Sequence, residues 1–401
     1  MKNSQDIPFE DVAQWRDRVR TGVNRDRLLA IAERLISVPS PTGAAGAAAD
    51  VLADFLVEEG FAVDRPEAGH PASPAVVARL QGERPGKTLQ FDGHLDTVHL
   101  PFVPFAVDGD QIRGSGASDM KGGLAAAVEG MLAARDAGVL EAGSILLTAH
   151  DLHEAPWGFG QQFDRMLVEG IVGDAVLIPE PLCGHLPVAG RGQACWKITI
   201  RRAGSPVHEV MRDPEAPRVI PVGAELVQRL HELDHRLAGQ VDAVAGRSSV
   251  FVGQVHAGEI YNQDPTICWL EGTRRWVPGY DRHEVEAEFR GMLAALAAET
   301  GTEIEAEFQL VRDAFALDVN STLVSAFQAA RTAMDGEPLL TGPKAFVDDG
   351  NSVSALTGVP SITHGPLAGG QHTVEEWASI DDLIRVANLY ALTAALFCPR
   401  G

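Results

Sequence analysis

The stretch KGGLAAAVEGMLAARDAGVLEAGSILLTAH, residues 121–150, predicts a helix over 121–138 followed by a strand over 144–150. Two further short apolar runs bounded by Gly or Pro predict strands on either side of it, at TLQFDGHL (88–95) and DAVLIPEP (174–181). Strands that alternate with helices favour an α/β fold with a mostly parallel sheet. In such a fold, ligand-binding residues gather at the carboxyl ends of the strands.

The pattern changes near residue 192. From there the predicted order is strand, helix, two strands, helix and strand, which makes a self-contained α+β unit of βαββαβ type. The alternation of helix and strand then resumes, with helices predicted over 322–334 and 380–397. The sequence therefore predicts two domains, one formed by residues 1–191 and 313–401 and a second, residues 192–312, inserted into it.

The chain has 401 residues and a strong excess of acidic side chains, with 33 Lys and Arg against 55 Asp and Glu and a formal charge of -22. This charge would repel a nucleic-acid backbone or an anionic membrane, so neither is expected as a partner. The sequence has no apolar run long enough to span a membrane, no apolar leader at its start and no CxxC pair among its four cysteines. We therefore expect a soluble cytoplasmic protein.

Histidine or carboxylate residues stand at the ends of the predicted strands in several short stretches. These stretches are FDGHLDTV (91–98), GSGASDMKGG (114–123), HDLHEAPWG (150–158), LIPEP (177–181) and, far downstream, GGQHTVEEW (369–377). Histidine and carboxylate ligands suit zinc, manganese or cobalt, and a bridging Asp can hold two such ions about 3.5–4 Å apart. The pattern predicts a site for one or two divalent metal ions per chain, with zinc favoured over manganese or cobalt.

Taken together and in this order, the five motifs resemble the M20 family of metallopeptidases and deacylases, which includes aminoacylase, succinyl-diaminopimelate desuccinylase and carboxypeptidase G. The resemblance runs from VPSPTG (38–43) to the final predicted helix. It implies that residues 1–191 and 313–401 form the metal-binding catalytic domain. It also implies that residues 192–312 form a dimerisation or lid domain, so that a homodimer or higher homo-oligomer is expected.

The resemblance assigns the candidate metal ligands one by one. It implies that His94 and Glu180 bind the first metal, that Asp119 bridges the two metals and that His372 binds the second. It also implies that Asp96 accepts a hydrogen bond from the other ring nitrogen of His94. A ligating histidine normally needs such a partner to fix its tautomer.

The third motif departs from the family pattern. The family usually carries two consecutive glutamates there, a general base and a ligand of the second metal, whereas this sequence has His153 followed by Glu154. If Glu154 is the ligand, His153 or Asp151 must accept the proton, and an imidazole is suited to this because its ordinary pKa of about 6.5 lies near neutrality. If Glu154 is the base instead, the second metal site lacks a ligand.

The inserted domain supplies candidate substrate-binding residues. The resemblance implies that His208, in AGSPVHEV (203–210), reaches across a dimer to polarise the scissile carbonyl. It also makes Asn262 and Arg275 candidates for binding a substrate carboxylate, with Arg274 as the nearest alternative to Arg275. The planar guanidinium of arginine suits this task because it donates two parallel hydrogen bonds.

The resemblance implies a metal-dependent hydrolase that cleaves an amide C–N bond by attack of a metal-activated hydroxide. The expected substrate is a small carboxylate-bearing molecule such as an N-acyl amino acid or a dipeptide. The altered base position leaves two alternatives open. One is hydrolysis of a non-peptide C–N bond, as in an aromatic amine or amidine, and the other is a non-catalytic protein that binds a small molecule in the same cleft.

Overall fold

The computed structural model describes residues 9–399, which fall into two compact units. The first unit comprises Met1–Val188, Leu317–Gly342 and Asp348–Gly401, and the second comprises Ala189–Ala316 and Pro343–Val347. The main segment of the second unit lies within a few residues of the predicted insertion. The short return at 343–347 was not indicated by the sequence pattern.

The described residues contain ten α-helices. Their bounds are α1 (Phe9–Gly22), α2 (Arg25–Ile36), α3 (Gly46–Glu58), α4 (Lys121–Asp136), α5 (Gln161–Val168), α6 (Val219–Leu237), α7 (Arg282–Thr300), α8 (Thr322–Asp335), α9 (Asp349–Thr357) and α10 (Ile380–Phe397). None of these helices is both long enough and apolar enough to cross a membrane.

The strands of the described residues include both long central strands and short hairpin pieces. Their bounds are β1 (Val63–Asp64), β2 (Val76–Gln81), β3 (Arg84–His94), β4 (Ala106–Asp108), β5 (Gln111–Arg113), β6 (Ala142–His150), β7 (Ala175–Ile178), β8 (Leu186–Gly190), β9 (Gly192–Arg201), β10 (Val207–His208), β11 (Val241–Asp242), β12 (Gly246–Arg247), β13 (Ser249–Ala257), β14 (Gln263–Asp264), β15 (Ile267–Trp276), β16 (Glu303–Arg312), β17 (Phe315–Ala316), β18 (Thr341–Lys344), β19 (Ser361–Thr363), β20 (Ala368–Gly369) and β21 (Trp377–Ser379).

The main sheet of the first unit has the strand order β1-β2-β6-β3-β7-β19. The pairs β6·β3, β3·β7 and β7·β19 are parallel, whereas β1·β2 and β2·β6 are antiparallel. This confirms the predicted α/β class with a mostly parallel sheet. All nine residues of β6 are buried, as expected for a central strand covered on both faces.

Helices α4 and α10 form the interior of the first unit. The first fourteen residues of α4 are buried, and α10 packs against both α4 and α8. Both helices are rich in Ala, which allows close packing and has the highest helix propensity. The short sheet β20-β21-β5-β4 lies in the same unit and joins the chain near residue 113 to the chain near residue 377.

The second unit is the predicted βαββαβ element. Its sheet has the order β13-β15-β9-β16 and is antiparallel throughout. Burial along β9 alternates between buried and half-buried residues, so one face of the sheet is covered. The core on that face includes Trp196 and Ile198 from β9, Leu230 from α6 and Phe289 from α7.

Candidate metal centre

Three neighbouring parallel strands end at the same edge of the main sheet and carry candidate ligands there. Strand β3 ends at His94, and Glu180 follows the end of β7 by two residues. Strand β6, on the other side of β3, ends at His150 in register with His94, and Glu154 lies four residues beyond it. Motifs that are separated in sequence therefore lie close together in space, because the carboxyl ends of parallel strands lie at the same edge of the sheet.

Asp119 stands at the centre of this cluster and presents its two carboxylate oxygens to two different histidines. Its Oδ1 lies 3.0 Å from Nε2 of His94, and its Oδ2 lies 3.4 Å from Nε2 of His372. Glu180 lies on the first side, with Oε1 3.6 Å from Nε2 of His94. Glu154 lies on the second side, with Oε2 3.2 Å from Nε2 of His372. This is the arrangement expected of a carboxylate that bridges two metal ions.

His372 is brought to Asp119 by the short sheet. It lies in the turn between β20 and β21, while the loop that carries Asp119 follows β5, and β21 pairs directly with β5. His372 adopts a left-handed backbone conformation with φ of 57°. This conformation is uncommon for a residue other than glycine, and such outliers cluster at functional sites.

The loop of Asp119 is held from behind by Glu376. One carboxylate oxygen of Glu376 accepts the backbone N–H groups of Ser118 at 3.1 Å and of Asp119 at 3.2 Å. Burial, and then the charge of Asp119, raises the pKa of Glu376 to about 7. Burial lowers the pKa of the neighbouring Lys121 to about 7, although the charges of Glu376 and Asp96 oppose this shift.

Two glycines after Asp119 allow close backbone approach. A Cβ atom on Gly122 would overlap the carbonyl oxygen of Ala117. A Cβ atom on Gly123 would overlap the carbonyl oxygen of Pro179, directly before Glu180. The start of α4 can therefore lie against the loop of Glu180 only because position 123 has no side chain.

The structure changes the detail of the predicted pair His94 and Asp96. The Nδ1 atom of His94 lies 2.9 Å from the backbone carbonyl oxygen of Asp96, whereas the nearest carboxylate oxygen of Asp96 is 3.6 Å away. The carboxylate instead accepts the backbone N–H groups of His153 at 3.0 Å and Glu154 at 3.1 Å. Asp96 thus fixes the His94 tautomer through its main chain and the loop of the third motif through its side chain.

The three candidates of the third motif have different surroundings. Glu154 faces His372, with its Oε2 3.2 Å from Nε2 of that histidine. Asp151 is buried and its carboxylate accepts the backbone N–H groups of Gly43, Ala45 and Leu152. A carboxylate occupied in this way holds a loop together rather than accepting a proton from water.

His153 lies beside the first side of the cluster. Its ring stacks on that of His94 with centroids 4.0 Å apart and planes 8° apart. Its Nε2 lies 3.9 Å from Oε1 of Glu180, and its Nδ1 lies 2.7 Å from Oδ2 of Asp349. None of the five motifs contains Asp349, which stands in the sequence FVDDG (346–350).

Asp349 also faces a second buried histidine that the sequence analysis left unassigned. The Nε2 of His150 lies 3.3 Å from Oδ2 of Asp349 and 3.5 Å from Oδ2 of Asp92. All three side chains are essentially fully buried. Burial opposes a charge on His150, but the charges of Asp349 and Asp92 outweigh it and raise the pKa of His150 to about 10.

Asp119 and the four candidate ligands around it have donor atoms that suit a pair of divalent cations. Three carboxylates and two imidazoles meet there, and these are the donor types that zinc, manganese and cobalt prefer. The cluster carries an excess of negative charge. Burial, and then the charge of Asp119, raises the pKa of Glu180 to about 7, even though His94 opposes this. Bound cations would remove this repulsion.

The candidate residues of the second unit form a separate group. His208 is exposed, and its Nε2 lies 3.0 Å from Nδ2 of Asn262. The pairing of β10 with β14 brings these two residues together. Arg275 is half-buried on β15, opposite Gln193. The structure thus brings His208 and Asn262 into contact and places Arg275 on a different sheet.

Arg274, the alternative to Arg275, is a buried residue. It is 1% exposed and its Nη1 donates to the backbone carbonyl oxygens of Ser249 and Arg275. Its Nη2 lies 3.6 Å from Oε2 of Glu288 on α7. Arg274 therefore contributes to the interior of the second unit, and Arg275 is the more accessible of the two.

Comparison with known proteins identifies the family. The model of peptidase family M20/M25/M40 matches residues 91–395, well over half of the chain. The chain therefore belongs to this family, which confirms the resemblance seen in its five motifs.

Curated relatives are named succinyl-diaminopimelate desuccinylase. The protein of Methylobacterium radiotolerans is 35% identical over 194 residues, which cover 44% of this chain and 49% of the relative. That of Novosphingobium aromaticivorans is 32% identical over 212 residues, which cover 49% of this chain and 56% of the relative. The chain thus spans about half the length of these relatives.

Solved structures share the fold over nearly the whole chain. A tripeptidase from Staphylococcus aureus has a TM-score of 0.76 at 21% identity and covers 93% of this chain and 99% of its own. The aminopeptidase PepT from Bacillus cereus has a TM-score of 0.77 at 18% identity and covers 94% of this chain and 99% of its own. A dinuclear metal-binding M20 peptidase from Bacillus subtilis has a TM-score of 0.64 at 18% identity and covers 93% and 97%.

Proposed function

We propose that the protein is a metal-dependent hydrolase that cleaves an amide C–N bond in a small carboxylate-bearing substrate. The observation that carries this proposal is the division of the Asp119 carboxylate between His94 and His372, at 3.0 and 3.4 Å. A carboxylate placed between two histidines, with a further glutamate on each side, is suited to hold two cations at bridging distance. Family membership supports the same chemistry.

His94, Asp119 and Glu180 would hold the first ion, and Asp119, Glu154 and His372 would hold the second. Zinc is favoured because it accepts nitrogen and oxygen donors with few geometric demands, and manganese or cobalt would also suit these donors. When bound, such ions supply positive charge that activates water and stabilises the negative charge developing on the scissile carbonyl oxygen. Asp96 and Glu376 hold the loops on which the ligands lie.

His153 is proposed as the proton acceptor, and not as a ligand. The lone pair of an imidazole nitrogen lies in the plane of its ring. Because the rings of His94 and His153 are stacked, with planes only 8° apart, their lone pairs lie in two parallel planes, which disfavours binding of one ion by both rings. Glu154 is then free to act as the ligand on the His372 side. His153 would take a proton from the attacking water and pass it to the leaving amine.

The second unit would supply substrate binding. Arg275 and Asn262 are proposed to bind the substrate carboxylate. Because the chain has a large net negative charge, an anion needs hydrogen-bond donors close to it, and these two side chains supply them. His208 is proposed to act across a homodimer as a donor to the developing oxyanion. An N-acyl amino acid or dipeptide is the proposed substrate class, and the names of the curated relatives favour the N-acyl type, including N-succinyl amino acids.

The experiment that tests this proposal combines metal analysis with a substrate panel. Protein stripped by a chelator should be inactive, and zinc, manganese or cobalt should restore turnover of one class among N-acyl amino acids, N-succinyl amino acids and dipeptides. Aromatic amines and amidines in the same panel test the non-peptide alternative. Turnover by metal-free protein, or by a His94→Ala variant that binds no metal, would refute the proposal. Tight metal binding without turnover of any class would indicate a binding protein.

A further inference from the structure

We infer that Asp349 is a positioning residue that fixes the ring orientation and the tautomer of His153, with the buried pair Asp92 and His150 behind it. The inference rests on the proposed role of His153 as proton acceptor and extends it to residues outside the five motifs. These three residues form a cluster that does not include the ligands around Asp119.

The first step is the contact between His153 and Asp349. The distance from Nδ1 to Oδ2 is 2.7 Å, which is typical of a strong hydrogen bond between an imidazole N–H and a carboxylate. An ionised carboxylate can only accept, so Nδ1 of His153 carries the hydrogen. In a neutral ring the lone pair is then on Nε2, the atom that faces Glu180 and the first side of the metal cluster. A proton acceptor needs this tautomer.

The second step is the state of His150. Its Nδ1 faces the backbone carbonyl oxygen of Asp151 at 3.2 Å, and its Nε2 faces the carboxylates of Asp349 and Asp92. Two buried carboxylates thus lie within ion-pair distance of Nε2, and their charges raise the pKa of His150 to about 10 although burial opposes this, so His150 is a cation at neutral pH. A fully buried cation next to Asp349 keeps that carboxylate ionised and therefore an acceptor for His153.

The third step is the rigidity of the cluster. His150 is stacked on Phe163, with ring centroids 5.0 Å apart, and is the last residue of a fully buried strand. Asp92 lies on the neighbouring strand and accepts a hydrogen bond from Thr148. Asp349 is the first residue of α9. The groups behind His153 thus belong to two strands and a helix, which hold geometry better than a loop does.

The test uses 15N-histidine NMR of metal-free protein at alkaline pH, where neutral rings report their tautomer directly. The His153 resonance, assigned from its loss in His153→Gln, should show a protonated Nδ1 and an unprotonated Nε2. In Asp349→Ala it should move toward the Nε2–H tautomer, which an unrestrained neutral imidazole favours. A wild-type His153 in the Nε2–H form, or a spectrum unchanged in Asp349→Ala, would overturn the inference. The wild-type spectrum decides the question even if the variant does not fold.

Asp348→Asn is the matched control. Asp348 is a buried carboxylate at the start of the same helix, but it caps α9 through Gly350 and accepts a hydrogen bond from Thr363. Its loss should lower stability and leave the His153 tautomer unchanged. If Asp348→Asn shifts the tautomer as much as Asp349→Ala does, the effect is a general loosening of this helix and the inference is wrong.

Kinetics supply a second readout once a substrate is found. Asp349→Ala should lower kcat by about 10²–10⁴-fold with little change in KM or metal content, the range expected when a carboxylate behind a working imidazole is lost. In a His153→Gln background, Asp349→Ala should lower kcat by less than a further ~3-fold, because Asp349 acts through His153. A full additional loss in that background would overturn the inference. The NMR experiment needs neither metal nor substrate. It therefore still tests the role of Asp349 if the proposed function proves wrong.

Discussion

Oε2 of Glu376 accepts the backbone N–H of Asp119 at 3.2 Å across 257 residues of sequence. The carboxylate of Asp119, which faces both His94 and His372, is therefore held in place by a second carboxylate that binds the backbone of its loop. Such indirect support is a common property of metal centres, where residues behind the ligands set their orientation.

Glu376→Ala should weaken metal binding without removing a ligand. The loop at Ser118 and Asp119 would lose two hydrogen bonds, so we expect the apparent metal affinity to fall by about 10–100-fold. Competition with a metal-binding dye would measure this. The matched control is Glu375→Ala, because Glu375 is its exposed neighbour. Equal affinities for the two variants would show that the contact with Asp119 does not matter.

The two metal positions should differ in how firmly they hold an ion. The side chain of His372 is 55% exposed whereas that of His94 is fully buried, so the ion on the His372 side should be lost first. Dialysis against increasing chelator should show two steps by elemental analysis. Glu154→Ala should not show the first step of metal loss, because it lacks a ligand of that ion, and it should still show the second. One concerted step in the wild type, or loss of both ions from Glu154→Ala, would contradict this assignment.

The sequence predicted the fold class, and it grouped the candidate ligands at one site, for a physical reason. Ligand residues such as His94 and Glu180 follow apolar strands, and parallel strands necessarily bring their ends together. Order along the chain was therefore enough to propose a common site. His372 is farther away in sequence, and only its motif indicated that it belongs to the same site.

The supporting residues could not be found in the same way. Asp349, His150 and Glu376 act through contacts that depend on side-chain directions and on the pairing of β21 with β5, which no local pattern reports. His150 and Glu376 do lie inside quoted motifs, so their proximity to ligands was a weak signal. The sequence also could not show which group of Asp96 accepts the hydrogen bond from His94. The side chain and the backbone carbonyl belong to the same residue, so a sequence motif does not distinguish them.

Gly123→Ala should damage both stability and the metal centre. The new methyl group would overlap the carbonyl oxygen of Pro179, so α4 and the loop of Glu180 would have to move apart. Overpacking of this kind costs about 1–3 kcal/mol of unfolding free energy. Thermal unfolding and metal affinity would measure the two effects. Gly184→Ala is the control, since a Cβ there meets no atom within 4 Å. Similar behaviour of the two variants would contradict the prediction.

His364 should make stability depend on pH. Burial, and then the charges of Arg385 and Arg331, lowers its pKa to about 3 from an ordinary value of 6.5. Between these values the unfolded chain binds one more proton than the folded chain. Stability therefore falls as the pH falls, by about 1.4 kcal/mol per pH unit from this residue. In His364→Phe this part of the slope should disappear.

Urea unfolding of metal-free protein at a series of pH values would measure the slope for His364. The control is His283→Phe, which makes the same replacement at an exposed position. Identical slopes for wild type and His364→Phe would mean that the buried ring is not the source of the acid sensitivity.

Mixed dimers would test whether His208 acts across subunits. His208→Ala and Asp119→Ala should each be nearly inactive. In His208→Ala we expect kcat to fall by about 10²–10³-fold because the variant lacks an oxyanion donor. After subunit exchange, a mixed dimer would have one site with intact ligands and the partner's intact His208, so partial activity should return. Exchange without recovery would show that His208 does not act in this way.

The position of α10 also has a consequence for how the chain is made. Helix α10 spans Ile380–Phe397 and supplies much of the interior of the first unit, while most of the second unit is complete by Ala316. A ribosome delivers residues from the amino end, so the inserted unit can acquire its sheet and both its helices while the first unit still lacks a central helix. The ligand-bearing strands are thus synthesised early, but their core can close only after α10 has been synthesised.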